Sequence, residues 1–529
     1  MSDYRKIITD QLLGTAPLYG QPPPRVAQPN PKQLRPMTTY RILINPCQGP
    51  RIILKLRGYR LSAVPLILAT LAIPVFCVTS DSPIYASIVG VWAMLGVNLL
   101  IPSCRPSRPY LSPYNWALAM FFLQLVVVPA NMMVAGIRAG SLPSLPSALS
   151  IEYALLLTVL GYVSFSLSYS HNSRLRRQPK AEHAPGGWVM SNMTAIIYLC
   201  LGSLGLILAF SLTPLVEYYS SPAGLRSIDR QLPATLSGAA ATFIKPFLAF
   251  GAVGLWCRAV DARTRTRFWL IIGGVCCACV TTIVFSSYGY NRATIAAPLV
   301  CLVAVVNRHV KTIPFWFVSS IGFAVLSVFM VFGQYRGSTL TVEDLANDSA
   351  TINHLASKID FAEQLQLYSS GPQFVAYLLE NKEWGERLDW GKSLLASLMW
   401  PVPVLGKSFR ANSSVAIYNS MVYGNTRTID QPVPFAGELF INLHLAGVIL
   451  GYAVLGCLVG RVQHAFENTA SSLGTFSLQY VAIWLCYAIH TSAMVVSQMF
   501  IYFCLPIYGL VLLKWLRLCP SKTYTGARN

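Results

Sequence analysis

Twelve apolar stretches, most of roughly 18 to 24 residues, recur along this chain and limit its fold more than any other feature. They lie near 61–79, 83–102, 114–135, 150–170, 188–211, 236–257, 268–287, 291–306, 313–333, 436–460, 476–496 and 498–516. Lipid offers no water to the backbone, so such stretches fold as helices whose N–H and C=O groups bond within the segment. With 54% hydrophobic and 11% charged residues over 529 positions, the chain is too apolar for a water-soluble protein. The expected fold class is all-α: a polytopic membrane protein of about 12 transmembrane helices.

Charge then sets the expected topology. The net charge of +20 invites a nucleic-acid reading, but most of the 40 Lys and Arg fall in segments that an even number of spans places on one side. Arg174, Arg176, Arg177 and Lys180 follow the fourth span, Arg258, Arg263, Arg265 and Arg267 the sixth, and Arg308 and Lys311 the eighth. Basic connections mark the cytoplasmic face, so both termini are expected there and no nucleic-acid partner is implied. Residues 1–60 form a basic, Pro-rich tail with ten Lys and Arg. No cleavable signal peptide is read before the first span, which is expected to act as an uncleaved anchor. Spans one to nine occupy 61–333, a large extracytoplasmic loop 334–434, spans ten to twelve 435–516 and a short cytoplasmic tail 517–529.

The large loop carries 8 Lys and Arg, 10 Asp and Glu, and none of the 13 cysteines, which excludes a disulfide framework there. Three sets of apolar residues recur in it at helical spacing: Leu355, Ile359 and Ala362; Phe374, Tyr377 and Leu378; and Leu394, Leu395, Leu398 and Met399. Short amphipathic helices on the membrane surface satisfy that pattern. Trp400-Pro-Val-Pro-Val-Leu-Gly-Lys407 ends the last of them, because proline removes donors and biases its predecessor away from helix. Cys276 and Cys279 form a lone C-x-x-C inside an apolar run, without His neighbours, and read as small packing residues.

Ionisable residues at the membrane edge gather toward the outer face. Arg292 starts span eight, Arg336 ends span nine, Glu438 starts span ten and His490 falls in the outer third of span eleven. Lys245, before Pro246, is the deepest charge. With Arg226, Arg230, Lys407, Arg410 and Arg427 they outline a cationic, outward-facing cavity holding one prominent carboxylate. Guanidinium forks match phosphate oxygens and keep their charge when desolvated, which fits an anionic lipid-linked substrate. Glu438 would serve as general base on a sugar hydroxyl, and Asn442, four residues on, shares its helix face. Blander readings stand beside these. Arg292 and Arg336 also suit snorkelling anchors, the loop cations solvated charges, Glu438 a residue favoured by its own helix dipole, and His444 and His490 interhelical hydrogen bonds.

These residues resemble the Wzy-type polymerases of O-antigen and exopolysaccharide repeat units. The resemblance rests on Ser286-Ser-Tyr-Gly-Tyr-Asn-Arg292, on Gln334-Tyr-Arg336, on a Trp400-Pro401 to Lys407 element, and on Gly437-Glu438-Leu-Phe-Ile-Asn442-Leu-His-Leu-Ala-Gly447. It covers about residues 190–460, with Phe440 and Leu443 in place of the Tyr and Phe of the family element. It implies a glycosyltransferase-C-like fold shared with O-antigen ligases, in a bacterial inner membrane. Its implied substrates are undecaprenyl-diphosphate-linked oligosaccharides, polymerised at the outer face with lipid diphosphate as leaving group. Glu438, Arg292 and Arg336 take catalytic roles in that reading; Arg226, Arg230, Lys245, Lys407, Arg410, Arg427, Asn442 and His490 bind substrate. No metal or other cofactor is implied, and a chain-length regulator and a flippase are the implied protein partners. Three alternatives stay open: an O-antigen ligase, a lipid-phosphate-sugar transferase built on Asp81, and a polysaccharide flippase or transporter.

Overall fold

The structure, a computed structural model, describes residues 84–101, 111–138, 142–175, 188, 190–212, 242–262, 266–286, 292–314, 316–318, 320, 361–369, 371–381, 388–402, 406–423 and 433–515. Among them the chain is helical throughout. The first group of helices comprises α1 (Ile84–Leu100), α2 (Pro113–Ala135), α3 (Ala148–Leu175), α4 (Asn192–Leu212), α5 (Thr242–Ala262), α6 (Arg267–Ser286) and α7 (Ala293–Val310). The loop contributes α8 (Phe361–Tyr368), α9 (Gly371–Glu380), α10 (Lys392–Met399) and α11 (Ser414–Tyr423). Then come α12 (Phe435–Asn468), α13 (Ser472–Tyr487), α14 (Ala493–Phe503) and α15 (Leu505–Trp515).

Seven of these, α2 to α7 and α12, are long and apolar enough to cross a membrane, and α14 with α15, bent by 55°, makes an eighth if counted as one span. The chain is therefore an all-α polytopic membrane protein. The expected spans at 61–79 and over most of 313–333 lie outside the described residues, as do both terminal tails. The expected spans at 476–496 and 498–516 are drawn differently: α13 stops at Tyr487, a turn occupies Ala488 to Ser492, and α14 begins at Ala493. The polar triplet His490-Thr491-Ser492 explains the break. Ser492 is the N-cap of α14, its hydroxyl accepting the Val495 N–H at 3.4 Å, which satisfies a donor that a continuous helix would have paired.

α13 is the centre of the bundle, buried on nearly every face. One apolar cluster gathers α1, α2, α3 and α12 around Phe121, Tyr162, Phe165 and Tyr452. A second gathers α5, α6, α7, α14 and α15 around Phe250, Phe285, Tyr480 and Trp484. Helix ends at one side of the bundle are closed by side chains from neighbours. Asp261 of α5 accepts the N–H of Ser472, the first residue of α13, at 3.0 Å. Arg308 of α7 donates to the carbonyls of Phe466 at 2.6 Å and Thr469 at 2.9 Å while its guanidinium lies 4.7 Å from the Phe466 ring centroid. These contacts fill the orphan groups that every helix end leaves.

The helix expected to run continuously over 436–460 is two arms. Leu443 (φ −143°, ψ 23°) and His444 (φ 49°, ψ −140°) leave helical geometry, and the arm from Phe435 to Asn442 folds back beside the start of the second. Rings of Phe435 and Tyr452 lie 5.5 Å apart, whereas seventeen residues of straight helix span about 25 Å. Gly447 and Gly451 allow this approach: a side chain on either would overlap Leu439 of the first arm. Glu438 accordingly stands on the short first arm of α12, folded back beside the longer second one.

The loop helices also depart in part from the surface position expected of them. α9 buries Phe374, Val375, Ala376 and Leu378 against α3 and the arm of α12. α10 keeps one outward apolar face, with Leu395 56% and Leu398 43% exposed. Leu355 and Ile359 lie outside the described residues. At the far end of α9, Glu380 accepts the backbone N–H of Ser147 at 2.5 Å, just before α3. Partial burial alone would raise this carboxyl, but hydrogen bonds from the Ser147 hydroxyl and N–H and from Ser150 outweigh it and hold it below its ordinary value of 4.5.

Two outcomes follow. Gly447→Ala forces the arms apart and destabilises the protein by about 1–3 kcal/mol, the usual cost of overpacking, measured by thermal unfolding in detergent. Because folding lowers the Glu380 pKa, its contribution is complete above the ordinary carboxylate range and disappears as pH falls through the lowered value. Glu380→Gln therefore lowers the unfolding midpoint at pH 7, and the difference from the wild-type protein shrinks on acidification.

Candidate active site on a re-entrant arm

The break in α12 frees carbonyls from the helix ladder, and the loop satisfies two of them. Asp389 donates its N–H to Ile441 O and Trp390 to Asn442 O, each at 3.1 Å. This brings the chain to Gly391 (φ 82°), the N-cap of α10, which has no side chain to cap with. Asn442 supplies the missing acceptor from across the interface: its Oδ1 takes the Leu394 N–H at 3.3 Å and the Ser393 hydroxyl at 3.1 Å, while its Nδ2 donates to Glu438 O at 2.7 Å. All three polar contacts of this buried amide are thus structural. Asn442 is a capping residue supplied in trans.

Glu438 lies one turn away on the same face, and α10 runs antiparallel to the arm so that Ser397 faces it as Ser393 faces Asn442. The Glu438 side chain is wholly buried. Its Oε2 accepts the N–H of Ala493, first residue of α14, at 2.6 Å. The hydroxyls of Ser397 and Ser414 stand against the same carboxyl. Ser414 opens α11, its N–H donating to Ser397 Oγ at 3.1 Å and its hydroxyl accepting from Ser397 at 3.3 Å. Two helix N-termini, those of α11 and α14, therefore meet at one carboxylate, and each carries about half a positive charge from its aligned peptide dipoles. Among the described residues no ion pair reaches Glu438. The helix N-termini and hydroxyls are the polar groups arranged around a carboxyl that burial otherwise isolates.

His490 sits in the turn just before α14, half-buried, with its Nδ1 3.0 Å from Gln124 Nε2. This contact ties the imidazole to the Gln124 amide across the interface. Gln124 belongs to a π-helical turn, Leu123–Val127, and is packed under Gly371, where any side chain would collide with its amide. The turn is thus pinned from two sides, by Gln124 at His490 and by Glu438 at Ala493.

The remaining described candidates lie at the other end of α14. Lys245 is buried in the turn that interrupts α5, and Phe243, two residues before it, packs edge-on to Tyr502 with ring centroids 5.2 Å apart. Arg410, exposed, lies 5.0 Å over the Trp400 ring and close enough to Tyr502 to act on its phenol electrostatically. Tyr502 is nine residues beyond Ala493, or about 13 Å along the helix. The structure thus brings Glu438, Asn442 and His490 near the start of α14, while Tyr502, further along that helix, meets Phe243 of the Lys245 turn and Arg410, which itself lies only four residues before Ser414. Arg292 opens its helix and Lys407 lies in the short turn Gly406–Phe409, described in backbone position only. Arg226, Arg230, Arg336 and Arg427 lie outside the described residues.

Ser393, Ser397 and Ser414 were not among the residues picked out from the sequence. A signal for two of them exists, since Ser393 and Ser397 repeat the four-residue spacing of Glu438 and Asn442 and each pair marks one helix face. Gln124 offered none, because its role depends on a π-turn. Among the described residues no group of three His, Cys, Asp or Glu side chains is placed to hold a metal ion. Cys276 and Cys279 are free thiols, both exposed on α6. No family model, curated protein or solved structure matches the chain.

Asn442→Ala removes a trans cap and leaves the Leu394 N–H unpaired, so it costs about 1–2 kcal/mol. Asn442→Asp keeps the acceptor and loses less. Unfolding midpoints of the two variants in detergent measure the difference.

Proposed function

We propose that this chain is a membrane glycosyltransferase that polymerises undecaprenyl-diphosphate-linked oligosaccharide repeat units at the outer face of a bacterial inner membrane, as its resemblance to Wzy-type polymerases implies. One observation carries the reading: the carboxylate of the Gly437-Glu438 element is wholly buried where loop helices meet the re-entrant arm. A glutamate that merely favoured its own helix dipole would sit in solvent. Burying a carboxylate costs several kcal/mol unless function or compensating contacts retain it, and here both helix N-termini and two hydroxyls are arranged around it.

In this reading the acceptor sugar hydroxyl gives its proton to Glu438 as its oxygen attacks the anomeric carbon of the growing glycan. The bond from that carbon to the undecaprenyl diphosphate oxygen breaks, and the lipid diphosphate leaves with the electron pair. Cations receive the charge: Arg410, stacked on Trp400, and Lys245 near the end of α14, with Arg292, Arg336, Arg226, Arg230, Lys407 and Arg427 as the proposed further members. No metal enters the proposed step. In this reading the Glu438 end faces outward and both termini are cytoplasmic, which the basic connections support. A chain-length regulator and a flippase are the proposed partners.

A second reading has an observation of its own. α5, α12 and the α13–α14 pair are all interrupted within the bundle, and discontinuous helices that aim their N-termini at an anionic group are also how transporters build substrate sites. The glycan profile separates the two, and separates both from a ligase. In the native host, Glu438→Gln leaves the protein folded and inserted but drops polymer formation by about 10²–10⁴-fold, the usual worth of a general base, with single repeat units persisting on lipid or at the surface. Units trapped on the inner face would instead establish a transporter, and long polymer that stays on its carrier lipid a ligase.

A further inference from the structure

Glu438 has no route to a sugar hydroxyl in this structure, because its side chain is wholly buried and Ser397 and Ser414 stand against its carboxyl. One of the covering helices must withdraw for the proposed reaction to occur, and their packing differs. α11 is fixed by Val415, Ala416, Tyr418 and Val422, all buried. α10 buries Ser393, Ala396 and Ser397 fully and Leu394 in part, while Leu395 and Leu398 face out. Its docking therefore buries no large apolar side chain completely, unlike that of α11, and segments with few buried apolar contacts open most readily.

What holds α10 down is polar and strained. Asn442 caps its start, Asp389 and Trp390 bond the broken arm, and Ser497 Oγ donates to Leu398 O at 2.6 Å. The strained residues flank the same contact: Trp390 has φ 51° and His444 φ 49°, both in the left-handed region that bulky residues avoid. Trp390 is 72% exposed. Together with Leu395 and Leu398 it gives the segment an apolar outer face suited to the headgroup boundary.

We infer that α10, with Asp389 to Gly391 as its hinge, is a lid over Glu438. Asn442 is the latch that holds it closed, and the outward leucines and Trp390 keep it in the outer leaflet when it lifts. Asn442 is in that case a positioning residue. The inference rests on Glu438 being the reacting carboxylate, but its motion is measurable without any assay of the reaction.

The test places a cysteine at position 397 and measures its labelling by a charged, membrane-impermeant maleimide in the full-length membrane-inserted protein, against the wild-type background. A second variant adds the pair Ser393→Cys and Asn442→Cys, whose side chains touch in the native protein, so that oxidation locks the lid. Labelling of Ser397→Cys that stops on oxidation and returns on reduction is the expected result. Ala396→Cys, at an equally buried position on the same face, repeats the measurement should Ser397→Cys not fold. Absence of labelling in folded protein, or labelling that the lock leaves unchanged, overturns the lid. Reversible labelling in a protein whose deletion leaves polymer unaltered retains the lid and removes the polymerase reading alone.

Discussion

A backbone carbonyl released by a break in a buried helix has to find a donor, and the carbonyls of Ile441 and Asn442 find theirs in the loop. Much of the architecture around the candidate site answers that one requirement. Asp389 and Trp390 bring their N–H groups to the break, which draws the loop down onto the re-entrant arm and sets where α10 begins. The glycine that starts α10 cannot cap it, and the arm returns the favour through Asn442. Each partner thus completes the other's unsatisfied groups, and neither end is stable alone in lipid.

The same logic extends to Glu438. Its carboxyl is the one acceptor that joins the arm to α14, through Ala493, and the loop, through Ser397 and Ser414. The starts of α11 and α14 and the inner face of α10 therefore converge on it. The breaks at His444, at Ala488 to Ser492 and at Lys245 are each tied by neighbours, and a π-turn at Gln124 supports the second of them. Breaks of this kind are expensive in a spanning helix and persist where surrounding structure over-determines them. Their concentration around α14 is the physical ground for placing a functional site there.

Arg410, stacked on Trp400, is exposed, whereas Glu438 is wholly buried, so the two charges near α14 meet water very differently.

The sequence by itself determined that this is an all-helical membrane protein, because long apolar runs admit no other backbone solution in lipid, and the runs near 114–135, 150–170, 188–211, 268–287 and 291–306 fall within a few residues of described spanning helices. It also marked Glu438 and Asn442 as one helix face, since a four-residue spacing is local geometry. It misplaced what depends on distant partners. The run over 436–460 reads as one span because its mean hydropathy outweighs Glu438, Asn442 and His444; the bonds from Asp389 and Trp390 stabilise a break at Leu443 and His444. The run over 476–496 reads as a span for the same reason, although α13 stops at Tyr487 and Ser492 caps the next helix. Asn442 reads as a substrate ligand until Ser393 and Leu394 are seen to occupy it. Hydropathy is a property of a segment, whereas a satisfied hydrogen bond is a property of two, and only the tertiary structure decides which second segment arrives.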